Sequence, residues 1–175
     1  MSKARKMLSD WDAPYIQSLV KLIATQSKST LVHWVVDYAE AVILPLYNKY
    51  YPNDLRPQNA LDSAEQWLAG EIKLPQAKKV ILQCHAAARE ADENPVAQAA
   101  ARAIGQSAST IHSARHCMGL ALYGAIAVAY DTLGTNETWE QLEKCAANEC
   151  WRMLDALRSV SVDNEPNPAK INWKC

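Results

Sequence analysis

Residues 84–105, CHAAAREADENPVAQAAARAIG, decide the fold. The alanines recur at helical spacing on both sides of Asn94-Pro95, a pair that ends one helix and begins the next. Small alanine side chains let neighbouring helix axes approach to the short end of the usual range, roughly 8–10 Å. The segment therefore predicts two closely packed helices at the centre of the molecule.

The sequence on either side of this segment is also helical. Period-2 alternation is essentially absent, and Ala, Leu, Gln, Glu and Lys are abundant, which favours helices over strands. Residues 96–133 form either one long helix or two helices broken near residues 107–113. The predicted helices span residues 13–28, 30–50, 56–70, 75–94, 95–133 and 137–160.

Prolines and glycines mark where these helices begin, bend and end. Pro45 lies inside the second helix and is expected to kink it, because proline removes a backbone donor. Gly70 and Gly134 are expected helix stops, and Thr135-Asn136 the cap of the last helix. The predicted fold is all-α, a compact bundle of six or seven helices. It forms one domain over residues 1–160, followed by an irregular C-terminal tail, 161–175.

Composition excludes several classes of protein. The net charge of −1, without a basic patch, disfavours nucleic-acid binding. Five glycines without a Gly-rich loop disfavour phosphate-cradling motifs. The longest apolar run, residues 119–130, is too short to cross a bilayer, and the basic start, residues 1–6, lacks the apolar segment of a signal peptide. Five cysteines without paired spacing predict free thiols, and together these features predict a cytoplasmic protein.

Helix two carries a polar strip on an otherwise apolar helix. His33, Asp37 and Glu40 share one narrow face at i, i+4 and i+7. The strip is a solvated face, a buried network in which Arg56, Arg89 or Arg102 pairs the carboxylates, or a reactive or metal-binding site. The sequence leaves these three interpretations open.

A second polar group is the sequence His112-Ser-Ala-Arg-His116. Two histidines at i, i+4 on a helix can chelate one metal ion, but two ligands make half a site. Further ligands would come from Asp37, Glu40, His85 or Glu90, and neither Glu-x-x-His nor His-Glu-x-x-His occurs. Hydrogen-bonded histidines are therefore the favoured interpretation, with no cofactor and no catalytic residue expected. The residues expected to pair between helices, or to form a site, are Asp37, Glu40, Arg56, His85, Arg89, Glu90, Arg102, His112 and His116.

Four segments carry a resemblance to a known family. They are Asp37-Tyr-Ala-Glu-Ala with Leu44-Pro45, Tyr51-Pro-Asn-Asp-Leu-Arg56-Pro57 leading to Trp67-x-x-Gly70-Glu71, His85-Ala-Ala-Ala-Arg89-Glu90-Ala91, and Ala101-Arg102-Ala103-Ile104-Gly105 to His112-x-x-x-His116. In this order and spacing the chain resembles small bacterial helical proteins classed as immunity proteins of toxin–immunity systems. The family often has a histidine where Gln106 stands and a basic residue where Gln58 stands. The resemblance implies an all-helical fold and neutralisation of a toxin.

The favoured function is an immunity protein that neutralises a protein toxin by stoichiometric binding. The alternatives are a structural, self-associating helical protein, or a metal-dependent enzyme that uses the His/Asp/Glu cluster, so enzymatic activity is left open. A stoichiometric inhibitor needs a rigid scaffold and a few aromatic or Arg anchors. The aromatics near residues 51–56 either serve as such anchors or close the end of the bundle. They are Tyr47, Tyr50, Tyr51 and Trp67.

Overall fold

The computed structural model describes residues 4–174, which contain seven helices and no strand. The prediction of an all-α bundle is therefore confirmed. Residues 1–3 and 175 lie outside this range, as do the parts of the predictions that concern the basic N-terminus and the Cys175 thiol. The helices are α1 (Pro14–Ile23), α2 (Lys28–Tyr38, then a π-turn at Ala39–Ile43, then Leu44–Asn48), α3 (Arg56–Leu68), α4 (Leu74–Glu90), α5 (Pro95–Ser109), α6 (a π-turn at Leu120–Gly124, then Ala125–Leu133) and α7 (Trp139–Val160).

Helix α5 is the centre of the bundle. It packs against α2, α3, α4 and α6. Most of its residues are buried, including the run 99–101 and the run 103–105. A helix buried on nearly all sides needs small side chains, because several neighbouring axes must approach it at once. The side chain of Asn94 caps α5 by accepting a hydrogen bond from the Ala97 N–H at 3.0 Å.

Helix α2 continues through Pro45 by way of a π-turn. Pro45 has no N–H, so the preceding turn cannot close with the ordinary i to i−4 bond at that position. Instead the Leu44 N–H donates to the Ala39 carbonyl, five residues earlier. The wider turn lets the helix run on to Asn48.

The chain breaks between α5 and α6. Helix α5 ends at Ser109, residues 110–113 form a turn, and Ala114–Cys117 form a short 3₁₀ helix. Of the two alternatives for residues 96–133, the broken one is therefore correct. The placement of His112 and His116 on one continuous helix is wrong, because His112 belongs to the turn and His116 to the 3₁₀ segment.

The last helix starts later than the sequence suggests. Its cap is Thr138, whose hydroxyl accepts from the Gln141 N–H at 3.3 Å, and not Thr135-Asn136. Gly134 ends α6 with φ +84°, a conformation that glycine adopts without strain.

The C-terminal segment folds back onto the start of α2. Gln26 is buried, and its side chain accepts from the Val162 N–H at 2.8 Å and donates to the Val162 carbonyl at 3.2 Å. The Ala169 N–H donates to the Gln26 carbonyl at 2.8 Å. None of the helices in residues 4–174 is long and apolar enough to cross a membrane.

Candidate functional site

Two glycines permit the close approaches that build a pocket lined by three histidines. A Cβ atom at Gly105 would lie 2.7 Å from Cε1 of His85, and a Cβ atom at Gly119 would lie 2.2 Å from Cβ of Gln106. Non-bonded carbon atoms prefer separations of about 3.5–4.0 Å. The absence of these Cβ atoms therefore lets the His85 ring lie on α5 and lets Gln106 lie against the start of α6.

Three histidines line the pocket, which encloses about 290 Å³. The rings of His112 and His116 meet edge to face, with centroids 5.0 Å apart. His116 Nδ1 lies 2.7 Å from Gln106 Oε1, and His85 Nε2 lies 3.5 Å from Ser109 Oγ. We call this the histidine pocket; its lining residues are Lys78, Ile81, Leu82, His85, Gln106, Ser109, His112 and His116.

Burial and neighbouring cations keep the three rings neutral. Burial lowers the pKa of His116 to about 4, with further lowering by His112, Arg115 and His85. Burial also lowers the pKa of His85, with Arg89 adding to the effect. The pKa of His112 is lowered by burial first and then by Lys78, Lys28 and His85. Near neutral pH each ring therefore carries one donor and one acceptor nitrogen.

The contact between Ser109 and His85 does not form a nucleophile–base pair. The Ser109 hydroxyl donates to the Gly105 carbonyl at 2.7 Å, a better bond than the 3.5 Å contact with His85. The charge that shifts the His85 pKa comes from Arg89, where a catalytic base would need an acidic partner to orient it. The geometry is that of a serine bonded back to its own helix.

The polar strip of α2 lies apart from the histidine pocket. His33, Asp37 and Glu40 are exposed, so the expectation that Asp37 and Glu40 form buried pairs is wrong. Glu40 instead accepts a bond from Gln58 Nε2 on α3 at 3.0 Å. Burial, then the charges of Glu40 and Asp37, raises the pKa of Glu65, which shows that these carboxylates gather on one acidic face.

No group of three His, Cys, Asp or Glu side chains within residues 4–174 is placed to hold a metal ion. The proposed combination of His112 and His116 with Asp37 or Glu40 is therefore not assembled. The thiols are unpaired at the four described cysteines: Cys84, Cys117, Cys145 and Cys150. Burial raises the pKa of Cys84 and of Cys150 to about 12, so both stay protonated and unreactive.

A second polar cluster holds the loop between α2 and α3. The Arg56 guanidinium donates to both oxygens of Asp54, at 2.9 and 2.8 Å, and to both oxygens of Glu90, at 3.1 and 2.6 Å. The Tyr47 hydroxyl donates to Asp54 at 2.6 Å. These bonds, led by that from Arg56, lower the pKa of Asp54 to about 2. Arg56 thus pairs with Glu90 on α4, where the sequence had offered it to Asp37 or Glu40; Arg89 is exposed and Arg102 half-buried.

The four aromatics predicted as partner anchors have different environments. Tyr47 is buried, and its ring stacks on that of Tyr51 with centroids 5.2 Å apart. Trp67 is partly buried against the core. Tyr50 is 41% exposed, so it is the member of the set with most surface to offer a partner. The anchor interpretation fails for Tyr47, which closes the end of the bundle.

Sequence reasoning missed several residues that shape these sites. Gln106, Ser109 and Lys78 line the histidine pocket, and Asp54 completes the loop cluster. The sequence feature that could have located the pocket is the pair Gly105 and Gly119, since glycines within helices mark the close approach of another element.

Together these features define an all-helical protein whose described residues present a neutral, histidine-lined pocket and a rigid polar loop. Residues 21–156 match the model of the family described as Imm-5 like putative immunity protein, and the chain belongs to that family. The family resemblance expected from the sequence is thereby confirmed. Neither a curated protein nor a solved structure matches the chain.

Proposed function

We propose that the protein is the immunity partner of a protein toxin and neutralises it by stoichiometric binding. The observation that carries the proposal is the family match over residues 21–156. An immunity protein of this kind needs a preformed surface and no chemical turnover. The neutral histidines and the serine bonded to its own helix agree with that role.

We infer that the toxin-binding face is centred on the loop between α2 and α3. Tyr50, which lines an open cleft of about 530 Å³, is 41% exposed, and Leu55 in the same loop is 62% exposed. Large apolar side chains exposed at a loop favour an interaction site over a solvated turn. The cleft is lined by Tyr50, Tyr51, Pro52, Asn53, Asp54 and Arg56.

The loop is held rigid before any partner arrives. Arg56 ties it to α4 through Glu90, and the Tyr47 hydroxyl ties it to the core through Asp54. Lys49 adds an ion pair with Asp131 on α6, at 2.7 Å. Because a rigid loop loses little conformational entropy on binding, its exposed side chains can contribute most of their contact energy to affinity.

We place this activity in the bacterial cytoplasm. The four described cysteines are unpaired, and Cys84, Cys117 and Cys150 are buried, which fits a reducing compartment. Free thiols that are buried also resist adventitious oxidation.

The test is co-expression with a toxin encoded beside this protein. Rescue of growth, with a one-to-one complex on gel filtration, is the expected result. A protein that leaves the toxin active and forms no complex at micromolar concentrations would overturn the proposal. A mass well above 19.4 kDa without the toxin would instead favour the self-associating alternative.

The binding face has its own test. Tyr50→Ala should raise the Kd for the toxin about 30-fold, since truncating an interface anchor costs about 2 kcal/mol or more. Trp151→Ala is the matched control, because Trp151 is 39% exposed on α7, away from the loop. Equal affinities for the two variants would place the face elsewhere while leaving neutralisation itself intact.

A further inference from the structure

A larger cavity adjoins the histidine pocket. Gln106 and His116 line both cavities, so the two meet at this hydrogen-bonded pair. The second cavity encloses about 400 Å³, within the range of ligand pockets, roughly 300 to 1,000 Å³. Arg115 adds a charged group to its lining, and the remaining side chains are mainly aromatic rings and thioethers. We call this cavity the aromatic cleft; these side chains are Met7, Trp11, Met118, Leu122, Tyr123 and Trp173.

The N-terminal segment anchors one side of the aromatic cleft to the bundle. Leu8 is almost completely buried, and its N–H donates to the carbonyl of Leu122 at 2.9 Å. The Trp11 carbonyl accepts a bond from Nε2 of Gln17 on α1 at 2.8 Å, while the Trp11 side chain remains 37% exposed. These bonds hold the Trp11 ring in place without any contribution from the C-terminal tail.

The C-terminal tail supplies Trp173, and few bonds hold this part of the tail to the helices. The Trp173 ring lies against that of Trp11, with centroids 6.0 Å apart and ring planes at 54°. Of residues 163–174, only Ala169 is hydrogen-bonded to a residue outside the tail within the described chain, through its N–H to the Gln26 carbonyl. A segment with few bonds to the rest of the structure opens at a lower free energy than the core. Trp173 can therefore leave the aromatic cleft while the bundle stays folded.

The chain itself shows which kind of group the aromatic cleft accommodates. It places an indole ring, that of Trp173, against Trp11 in the wall of the cleft. Aromatic rings attract one another in tilted or offset arrangements, and thioether sulfurs such as those of Met7 and Met118 also contact rings favourably. Trp, Tyr, Met and Arg are the residue types enriched at protein interfaces. An aromatic side chain of another protein has the same chemistry as Trp173 and can take its place.

We propose that the aromatic cleft is a docking site for a Trp or Tyr side chain of a partner protein, and that Trp173 covers it as an intramolecular competitor. A tethered competitor acts at an effective concentration in the millimolar range, so the closed tail weakens binding of the external side chain. None of the residues of the α2–α3 loop line the cleft, so the proposal does not depend on toxin binding at that loop.

The experiment follows the methionine methyl signals of the full-length protein by NMR while N-acetyl-tryptophanamide is added at millimolar concentrations. This probe carries the Trp side chain on a peptide backbone. We expect saturable shifts of the Met7 and Met118 signals, which report on the cleft, with the signal of Met153 unchanged because Met153 is buried in the core and does not line the cleft. Absence of shifts at Met7 and Met118, or equal shifts at Met153, would overturn the proposal.

Two tryptophans give a matched pair of full-length variants for the competitor role. Trp173→Ala should bind the probe about tenfold more tightly than wild type, because the tethered ring is removed. Trp151→Ala, which truncates a 39% exposed Trp on α7, should bind like wild type. Ala169→Pro tests the same point with Trp173 intact: it removes the N–H that bonds to Gln26, and it should also tighten binding. Affinities of Trp173→Ala and Ala169→Pro equal to that of wild type would overturn the competitor role.

The chemistry of the occupant is tested in the Trp173→Ala background. N-acetyl-leucinamide, which is apolar without a ring, should bind more weakly than N-acetyl-tryptophanamide, and equal binding would show an unspecific apolar hole and overturn the proposal. Trp11→Leu should weaken binding of the Trp probe about twofold to tenfold, the contribution of one aromatic pair. An unchanged affinity would overturn the assignment to this cleft. Tighter binding of indole than of N-acetyl-tryptophanamide would assign the cleft to a free aromatic compound and overturn the docking of a protein side chain.

Discussion

At the scale of single residues, two glycines decide where the histidine pocket forms. The Cβ atom of an alanine at Gly119 would meet Cβ of Gln106 at 2.2 Å, which no rotation of the Gln106 side chain relieves. The Cβ atom of an alanine at Gly105 would meet the His85 ring, which can swing away at the expense of the pocket. An alanine at Gly119 therefore requires a shift of the backbone, whereas an alanine at Gly105 requires only a movement of the His85 side chain.

We predict that Gly105→Ala destabilises the protein by about 1–3 kcal/mol, the range for overpacking a core. The same substitution in a His85→Ala background should be neutral or stabilising by up to about 1 kcal/mol, because alanine favours helix over glycine. Gly119→Ala should cost more than Gly105→Ala. Urea unfolding of the single and double variants checks all three, and an unchanged cost in the His85→Ala background would contradict the clash.

The lowered pKa of His116 predicts a pH dependence of stability. The ring has a pKa of about 4 in the folded protein against 6.5 unfolded, so between these values the unfolded chain binds more protons. Stability contributed by neutral His116 is therefore lost as pH falls from about 6.5 to 4. The slope from this one group is at most about 1.4 kcal/mol per pH unit.

His116→Gln should flatten the fall in unfolding free energy between pH 6.5 and 4. His33→Gln is the control, since His33 is exposed on α2. Urea midpoints at half-unit pH intervals give the measurement. Parallel curves for wild type and His116→Gln would show that burial of His116 does not cause the loss of stability at low pH.

At the scale of helices, most helix boundaries could be predicted from local sequence signals. Pro57, Pro75 and Pro95 stand in the first turns of α3, α4 and α5, and Gly134 follows α6, as the sequence signals predict. The pattern left open whether residues 96–133 form one helix or break near residues 107–113, and the structure has a turn after Ser109. That turn places His112 and His116, so the site could be predicted by residue type and not by geometry.

For the polar residues, too, the sequence indicated the residue types and not their arrangement in space. The sequence offered Arg56 as a partner for the carboxylates of α2, whereas the structure pairs it with Asp54 and with Glu90 on α4. It left open whether the strip that carries Asp37 is solvated, part of a buried network or a reactive site, and in the structure the α2 face that carries Asp37 is open to solvent. Which face of a buried helix stays open depends on how its neighbours are arranged, and helical periodicity carries no information on that arrangement.

The start of α7 gives a prediction at this scale. Thr138→Ala removes the hydroxyl that caps the helix and should cost about 1 kcal/mol. Thr135→Ala, at the position that the sequence favours as a cap, should change stability by no more than about 0.5 kcal/mol, because Thr135 is exposed. Equal losses of stability for the two variants in thermal unfolding would contradict the assignment of Thr138 as the cap of α7.

At the scale of the whole molecule, the family match and the hydrophobic core have different extents. The match begins at residue 21, yet Leu8, Ile16 and Leu19 are almost completely buried in the core. The Leu8 N–H also donates to the Leu122 carbonyl at 2.9 Å, and the Tyr15 hydroxyl donates to Glu143 on α7 at 2.9 Å. We propose that residues 4–160 form one domain in which residues 4–20 are an integral part.

We predict that a chain starting at residue 21 loses most of its stability. Burying a Leu or Ile side chain contributes about 1.5–3 kcal/mol, so the three apolar residues together contribute about 4.5–9 kcal/mol. A typical domain has a total of only about 5–15 kcal/mol. Circular dichroism should show a much lower Tm or a loss of cooperative unfolding. A chain ending at Val162 is the control: it keeps the Gln26 side-chain bonds to Val162 and loses the Ala169 bond to the Gln26 carbonyl with the partly buried side chains of the tail, so its Tm should fall far less. A chain starting at residue 21 that unfolds at the same temperature as the full chain would contradict the single-domain proposal, because it would show that the core is complete without Leu8, Ile16 and Leu19.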